Sequence, residues 1–182
     1  MMKSSTSDFE CRRGLAWSAF RSMDRIWKAE HIDLALKVRI FEVSVQSVFL
    51  YGCESWIIDK NLETRLNAVA TSCYREILGI RRLDRVPNDD ILALVGRHPL
   101  INTVHRRQLG WLGHILRRDD REPGYIFALY TPEHGKTGRG RPPTTYLKQT
   151  ASLLTSDPKG MTADQIALLA KNDKEWSKRV AA

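Results

Sequence analysis

Apolar residues recur at helical spacing along most of this chain. Between Phe9 and about Glu30, Ala16, Phe20, Met23 and Trp27 follow at steps of four, three and four, the stripe of an amphipathic helix. Trp17 lies off the stripe and reads as a second packing face, while Arg12, Arg13, Arg21 and Arg25 point to solvent. Asp33 is placed to cap the next segment, Leu34 to about Trp56, where Leu36, Ile40, Val43 and Leu50 suit a helix and Val38, Ile40, Val43 and Val45 partly suit alternation. Its length without Gly or Pro before Gly52 favours a buried helix. Asp59 or Asn61 starts a regular helix carrying Leu62, Leu66, Val69, Cys73 and Ile77, ended by Gly79. Pro87 and Asn88 introduce a short helix with Asp89 and Asp90 at its positive end and Gly96 past its finish, and Pro99 opens a long one.

That long helix carries the chain's most telling pattern. At about 100° per residue, Ile101, Val104, Leu109, Trp111, Leu112, Ile115 and Leu116 fall on one broad half, and Arg106, Arg107, His114, Arg117 and Arg118 on the other. Gly110 and Gly113 sit among the arginines, each weakening the helix by about 1 kcal/mol relative to Ala. The expectation is a close approach to that backbone, and a phosphate chain fits it: arginines offer forked donors, and glycines remove the side chains that would hold the chain away. The other reading is a solvated basic face whose glycines mark a kink or a break.

After a short apolar piece, Tyr125 to Tyr130, the stretch 131–145 is rich in Gly, Pro, Lys and Arg and reads as a basic loop. Within it, Lys136-Thr-Gly-Arg139-Gly-Arg141-Pro-Pro looks like an AT-hook core, an extended segment able to enter a narrow minor groove; the other reading is a flexible basic linker. Either leaves Arg139 and Arg141 able to meet phosphate. Thr145 to Leu154 predicts a short helix, and Thr162 with Gln165 predicts a capping box for a last helix, with Met161 and Ile166 as its hydrophobic staple and Leu169, Trp176 and Val180 on its apolar face. The expected fold is mostly α, a small bundle of about six to seven helices with a basic Gly/Pro-rich loop before the C-terminal helices. The expected divisions are 1–80, a helical hairpin with the basic helix over 81–130, the linker 131–145 and C-terminal helices over 146–182.

Charge narrows the partner. The formal net charge is +8, and from Arg97 to Lys148 ten Lys or Arg face four Asp or Glu. A polyanion is expected, nucleic acid ahead of an acidic membrane, since no long basic helix has an uninterrupted apolar face. Cys11, Cys53 and Cys73 share no close spacing, so no metal site, redox pair or cofactor is expected, and a reducing intracellular compartment is the simplest setting. The paired carboxylates Asp89-Asp90 and Asp119-Asp120 sit at helix ends and read as helix-terminal charges. No Ser-His-Asp arrangement or glycine-rich phosphate loop is legible. The expectation is therefore no catalytic centre, no small-molecule ligand and no membrane.

Leu50-Tyr-Gly-Cys-Glu-Ser-Trp56, Leu78-Gly-Ile80, Arg106-Arg-Gln-Leu-Gly-Trp-Leu-Gly-His-Ile-Leu-Arg117 and Gly138-Arg-Gly-Arg-Pro142, in that order and spacing, resemble the C-terminal region of endonuclease–reverse transcriptases of LINE-type, non-LTR retrotransposons. The similarity runs from about Arg12 to the end. It implies a helical thumb over 1–80 and a downstream segment that grips template RNA or target DNA in the nucleus, with the parent's catalytic palm and endonuclease outside this chain. Trp111, Gly113 and His114 match the family's Trp-Leu-Gly-His, and Arg139, Gly140, Arg141 and Pro142 its Gly-Arg-Pro segment. Gln108 and Gly110 stand where the family often has arginine, Tyr146 and Lys148 where it tends to have Trp and Asp, and Asn172-Asp173 replaces the usual Asp-Arg before the last Trp. The nucleic-acid-binding residues expected are Arg106, Arg107, His114, Arg117, Arg118, Lys136, Arg139 and Arg141. The alternative readings are a helical protein-interaction scaffold and an inert retrotransposon remnant.

Overall fold

A computed structural model describes residues 5–130, 145–155 and 161–181. Among them the protein is all α: α1 (Ser5–Ser22), α2 (Asp24–Lys28), α3 (Leu34–Phe41), α4 (Ser47–Phe49), α5 (Lys60–Leu78), α6 (Asn88–Val95), α7 (Leu100–Leu116), α8 (Pro123–Leu129), α9 (Tyr146–Leu154), α10 (Ala163–Lys171) and α11 (Asp173–Ala181). The helical class is as predicted, and the helices are more numerous than six or seven because several predicted ones break. The first stops at Met23, and the last divides at Asn172, whose φ of −91° and ψ of 90° leave helical space. No described helix is long and apolar enough to cross a membrane.

The chain packs as two compact units. One comprises 1–52 and 60–103, the other 53–59 and 104–182. The first is built on α1 to α6. Asp33 caps α3 by accepting from the Leu36 N–H at 2.6 Å, and α3 runs through a π turn (Glu42–Gln46) into α4. Its buried stripe is Val38, Phe41, Val45 and Phe49, at steps of three, four and four. The predicted stripe through Leu36 and Val43 is corrected: they are 48% and 68% exposed, because the two phenylalanines bring larger apolar surface and set the face that turns inward. Phe20 stacks on Trp27 at 5.0 Å, and Phe41 meets Tyr74 edge-on at 4.9 Å. Gly79 and Gly96 end α5 and α6 in left-handed geometry, φ +70° and +63°, as their positions predicted. The first turn of α7 receives help from α5, where Asn67 Oδ1 accepts from the Ile101 N–H at 3.0 Å.

The second unit gathers Leu109, Leu112 and Leu116 of α7 with Ala128, Tyr146, Ala151, Leu154, Ile166, Ala170 and Trp176. The capping box predicted at Thr162 and Gln165 is formed, and Met161 and Ile166 join the same cluster. Through the middle runs a polar clamp. Gln108, fully buried, donates through Nε2 to the carbonyls of Cys53 (3.0 Å) and Trp56 (2.8 Å). Its Oε1 accepts from Gln149 Nε2 at 2.8 Å, and Gln149 Oε1 accepts from the Ile58 N–H at 2.7 Å. Both amides are engaged at both ends, which is how a buried polar group escapes its desolvation cost. The clamp fastens the 53–59 strip to α7 and α9. Gln108→Leu is accordingly expected to cost about 2–4 kcal/mol by leaving carbonyls buried without a donor. Denaturant unfolding would measure it, and a loss under about 0.5 kcal/mol would sink this account of the clamp.

The three thiols differ sharply. Cys11 is exposed, whereas burial pushes Cys53 up to about 11 and Cys73 up to about 12. A thiol raised on folding contributes stability that is full below its unfolded value, about 8.5, and is lost as pH rises toward the folded value. A maleimide at pH 7.5 should therefore label the native chain once, at Cys11, and label all three cysteines only after denaturation. Rapid native labelling of Cys53 or Cys73 would contradict this burial.

Candidate nucleic-acid interface

Within the second unit, α7 presents its basic side beside α11, and the contact between them is set by one glycine. Gly113 is buried against Trp176: a Cβ there would lie 2.6 Å from Cε2 and 2.8 Å from Cδ1 of the indole. Trp176 is only 2% exposed, and its Nε1 donates to the Leu109 carbonyl at 3.0 Å. Leu109 stands four residues before Gly113, so its carbonyl is the acceptor one helical turn back. A side chain at 113 would cover it. The expected close approach to the α7 backbone is real at this position, but the approaching group is an indole of the same chain. The assignment of Gly113 to the phosphate-facing side is thus corrected.

Gly110, one turn earlier, is different. It is exposed, and nothing stands within 4 Å of where its Cβ would be. It floors a groove of about 350 Å³ whose walls include Arg106 from α7, Arg117 just past its end, and Ser177 and Val180 from α11. Arg106 is exposed at its rim. Arg117 donates to the Ala170 carbonyl at 3.3 Å and pairs with Asp173 at 3.2 Å, tying the groove to the corner where α10 ends and α11 begins. A cation supplied to the last carbonyls of a helix suits the negative end of its dipole.

The other predicted residues divide. His114 is exposed on α7. Arg118 follows the last turn and pairs with Glu122 at 3.3 Å, an exposed contact worth little. Arg107 is half-buried, and its guanidinium interacts with Cys53, opposing the burial that raises the thiol. The structure therefore brings Arg106 and Arg117 to one groove and leaves His114 and Arg118 outside its lining. Lys136, Arg139 and Arg141 lie outside the described residues. Gln108, which the resemblance placed among lost arginines of the binding face, is instead in the core.

Sequence reasoning missed the far wall of the groove. The sequence places Trp176 and Val180 on the apolar face of a last helix, with no link to α7, and assigns Ser177 nothing. The available signal was the pair itself: a glycine that costs helix stability at 113 calls for a large group elsewhere to occupy its vacant side.

No protein-family profile matches the chain, and no solved structure is matched. The chain is 28% identical over 170 residues to a Caenorhabditis elegans protein described as an uncharacterized transposon-derived protein. The alignment covers 91% of this chain and 61% of that protein, so the chain spans about three fifths of the relative's length. The similarity is thus to a protein of transposable-element origin.

The two glycines give opposite expectations. Gly113→Ala drives a methyl into the indole and should destabilise the protein by about 1–3 kcal/mol, the usual cost of overpacking. Gly110→Ala adds a methyl to open space and should stabilise by about 0.5–1 kcal/mol. Parallel urea titrations of both variants check the pair, and equal effects would contradict the assigned geometry.

Proposed function

We propose that this chain is a non-catalytic, nucleic-acid-gripping module from the C-terminal region, thumb and downstream segment, of a LINE-type retrotransposon reverse transcriptase. Its work is to hold template RNA or target DNA in the nucleus, while polymerisation belongs to other parts of such a polyprotein. The motif order from Leu50 to Pro142 and the similarity to a transposon-derived protein support the origin. The observation that carries the binding is the groove over Gly110 with Arg106 at its rim. A backbone phosphate can approach a glycine-floored helix face closely, and guanidinium groups meet its oxygens with paired donors. His114 on α7 and Arg118 just past its end extend the exposed basic surface. Lys136, Arg139 and Arg141 supply a second set of cations in this reading.

The test respects what the arginines already do. Arg117 ties α10 and α11, so its loss confounds binding with folding; Arg106, His114 and Arg118 have no such tie. The triple variant Arg106→Gln, His114→Gln, Arg118→Gln is compared with the unaltered chain on an RNA hairpin, a DNA duplex and a single strand across a salt series. Log affinity is expected to fall linearly with log salt, and the variant to flatten that slope by about two on the preferred ligand. An unchanged slope, or no binding by the unaltered chain, would leave α7 as a solvated face and favour the scaffold or remnant reading.

A further inference from the structure

The first unit holds a second basic cavity, of about 600 Å³, to which sequence reading gave no role. Its floor is the outer face of α5, and one wall is the loop between α5 and α6. Four arginines line it, Arg75, Arg81, Arg82 and Arg85, against one carboxylate, Glu76. Arg75 holds the loop in place, donating from Nη2 to the Val86 carbonyl and to Asn88 Oδ1 at 3.0 Å. Arg81 is drawn to Asp84 at 3.9 Å, a long and exposed contact, and the Arg81 N–H donates to the same carboxylate at 2.7 Å. Arg82 and Arg85 are exposed, and no carboxylate among the described residues pairs with either. Arg85 is also the one non-glycine among the described residues with positive φ, +52°. Left-handed geometry costs a β-carbon residue about 1 kcal/mol, and Asn or Gly fills it more cheaply. The loop bears that cost and carries a guanidinium into the cavity lining.

The cavity lining also includes an aromatic ring. Trp17 is half-buried, lines the same cavity, and is held edge-on by Phe20 at 5.7 Å with the Arg21 guanidinium 6.0 Å from its ring centre. Cations alone select an anion; cations that line one cavity with an indole select an anion that carries a flat ring. The volume is within the range that encloses a small organic ligand. From this juxtaposition we infer that the cavity binds a nucleotide, its base against Trp17 and its phosphate on Arg82 and Arg85. A single strand of nucleic acid is the source that an open, sequence-tolerant aromatic platform suits best. This site shares no residue with the α7 groove and does not depend on the reading of that groove.

Binding of the full chain to fluorescently labelled decauridylate is measured by anisotropy, in the unaltered background and in the Arg106→Gln, His114→Gln, Arg118→Gln background. Arg82→Gln with Arg85→Gln should weaken binding about tenfold in both, because these exposed side chains can be replaced without touching the core. Trp17→Leu should weaken it by a similar factor, and Trp17→Phe should restore binding to within about threefold, since either ring offers a face for stacking. Thermal unfolding monitors the fold; if Trp17→Leu does not fold, the arginine pair and Trp17→Phe decide. Competition by ATP at the concentration of single nucleotide units identifies a free nucleotide as the source, and resistance to ATP identifies the strand; both keep the nucleotide chemistry. Affinity indifferent to Arg82 and Arg85, or a decaglutamate that competes as well as decauridylate, would overturn the proposal.

Discussion

The second unit depends on an indole lying where a β-carbon is missing. Trp176 reaches the Leu109 carbonyl because Gly113 is bare, and from that contact α11 is held along α7. The arrangement exchanges about 1 kcal/mol of intrinsic helix stability for burial of the largest side chain available, which repays it with apolar area alone. It also determines what remains open. With α11 seated at Gly113, the next small residue on the same side, Gly110, becomes the floor of a groove instead of part of a contact.

The buried glutamine pair acts in the same direction from the opposite side of α7. Gln108 and Gln149 bind the 53–59 strip through its carbonyls and one N–H, so an irregular piece of backbone is satisfied inside a helical unit. The Leu50–Trp56 motif is explained locally by this requirement. Gly52 turns the chain at φ +76°, Cys53–Ser55 make a short 3₁₀ turn, and the carbonyls of Cys53 and Trp56 face the Gln108 amide. With its inner side committed to Gln108 and the leucines, and one flank committed to Trp176, α7 keeps Arg106 and His114 for solvent.

Much of the fold was legible because helices write their limits locally. Asp33, Gly79, Gly96 and the Thr162–Gln165 box each act within one turn of their own position, and each does what its residue type predicts. What failed needed information from distant residues. Periodicity around Val38 to Leu50 fits more than one phase, and only packing of Phe41 and Phe49 against partners such as Tyr74 and Phe9 selects the phase. Gln108 and Gly113 look polar and solvent-facing in a helical projection, yet a glutamine with two acceptors and a glycine with an indole are both at home in a core. The cations were legible as a basic patch; their division into tie, as with Arg117, and open contact, as with Arg106, was not. Charge is a property of composition, whereas pairing is a property of the fold.

The proposed grip on nucleic acid centres on the groove lined by Arg106, Gly110 and Arg117. Arginine side-chain N–H resonances, followed by NMR while an RNA hairpin is added at low salt and then reversed with salt, test it most directly. Arg106 Nε–H is expected to shift progressively with added RNA, together with the Gly110 amide, and both to return as salt rises. Shifts absent from Arg106 and Gly110 while the hairpin binds elsewhere would contradict it.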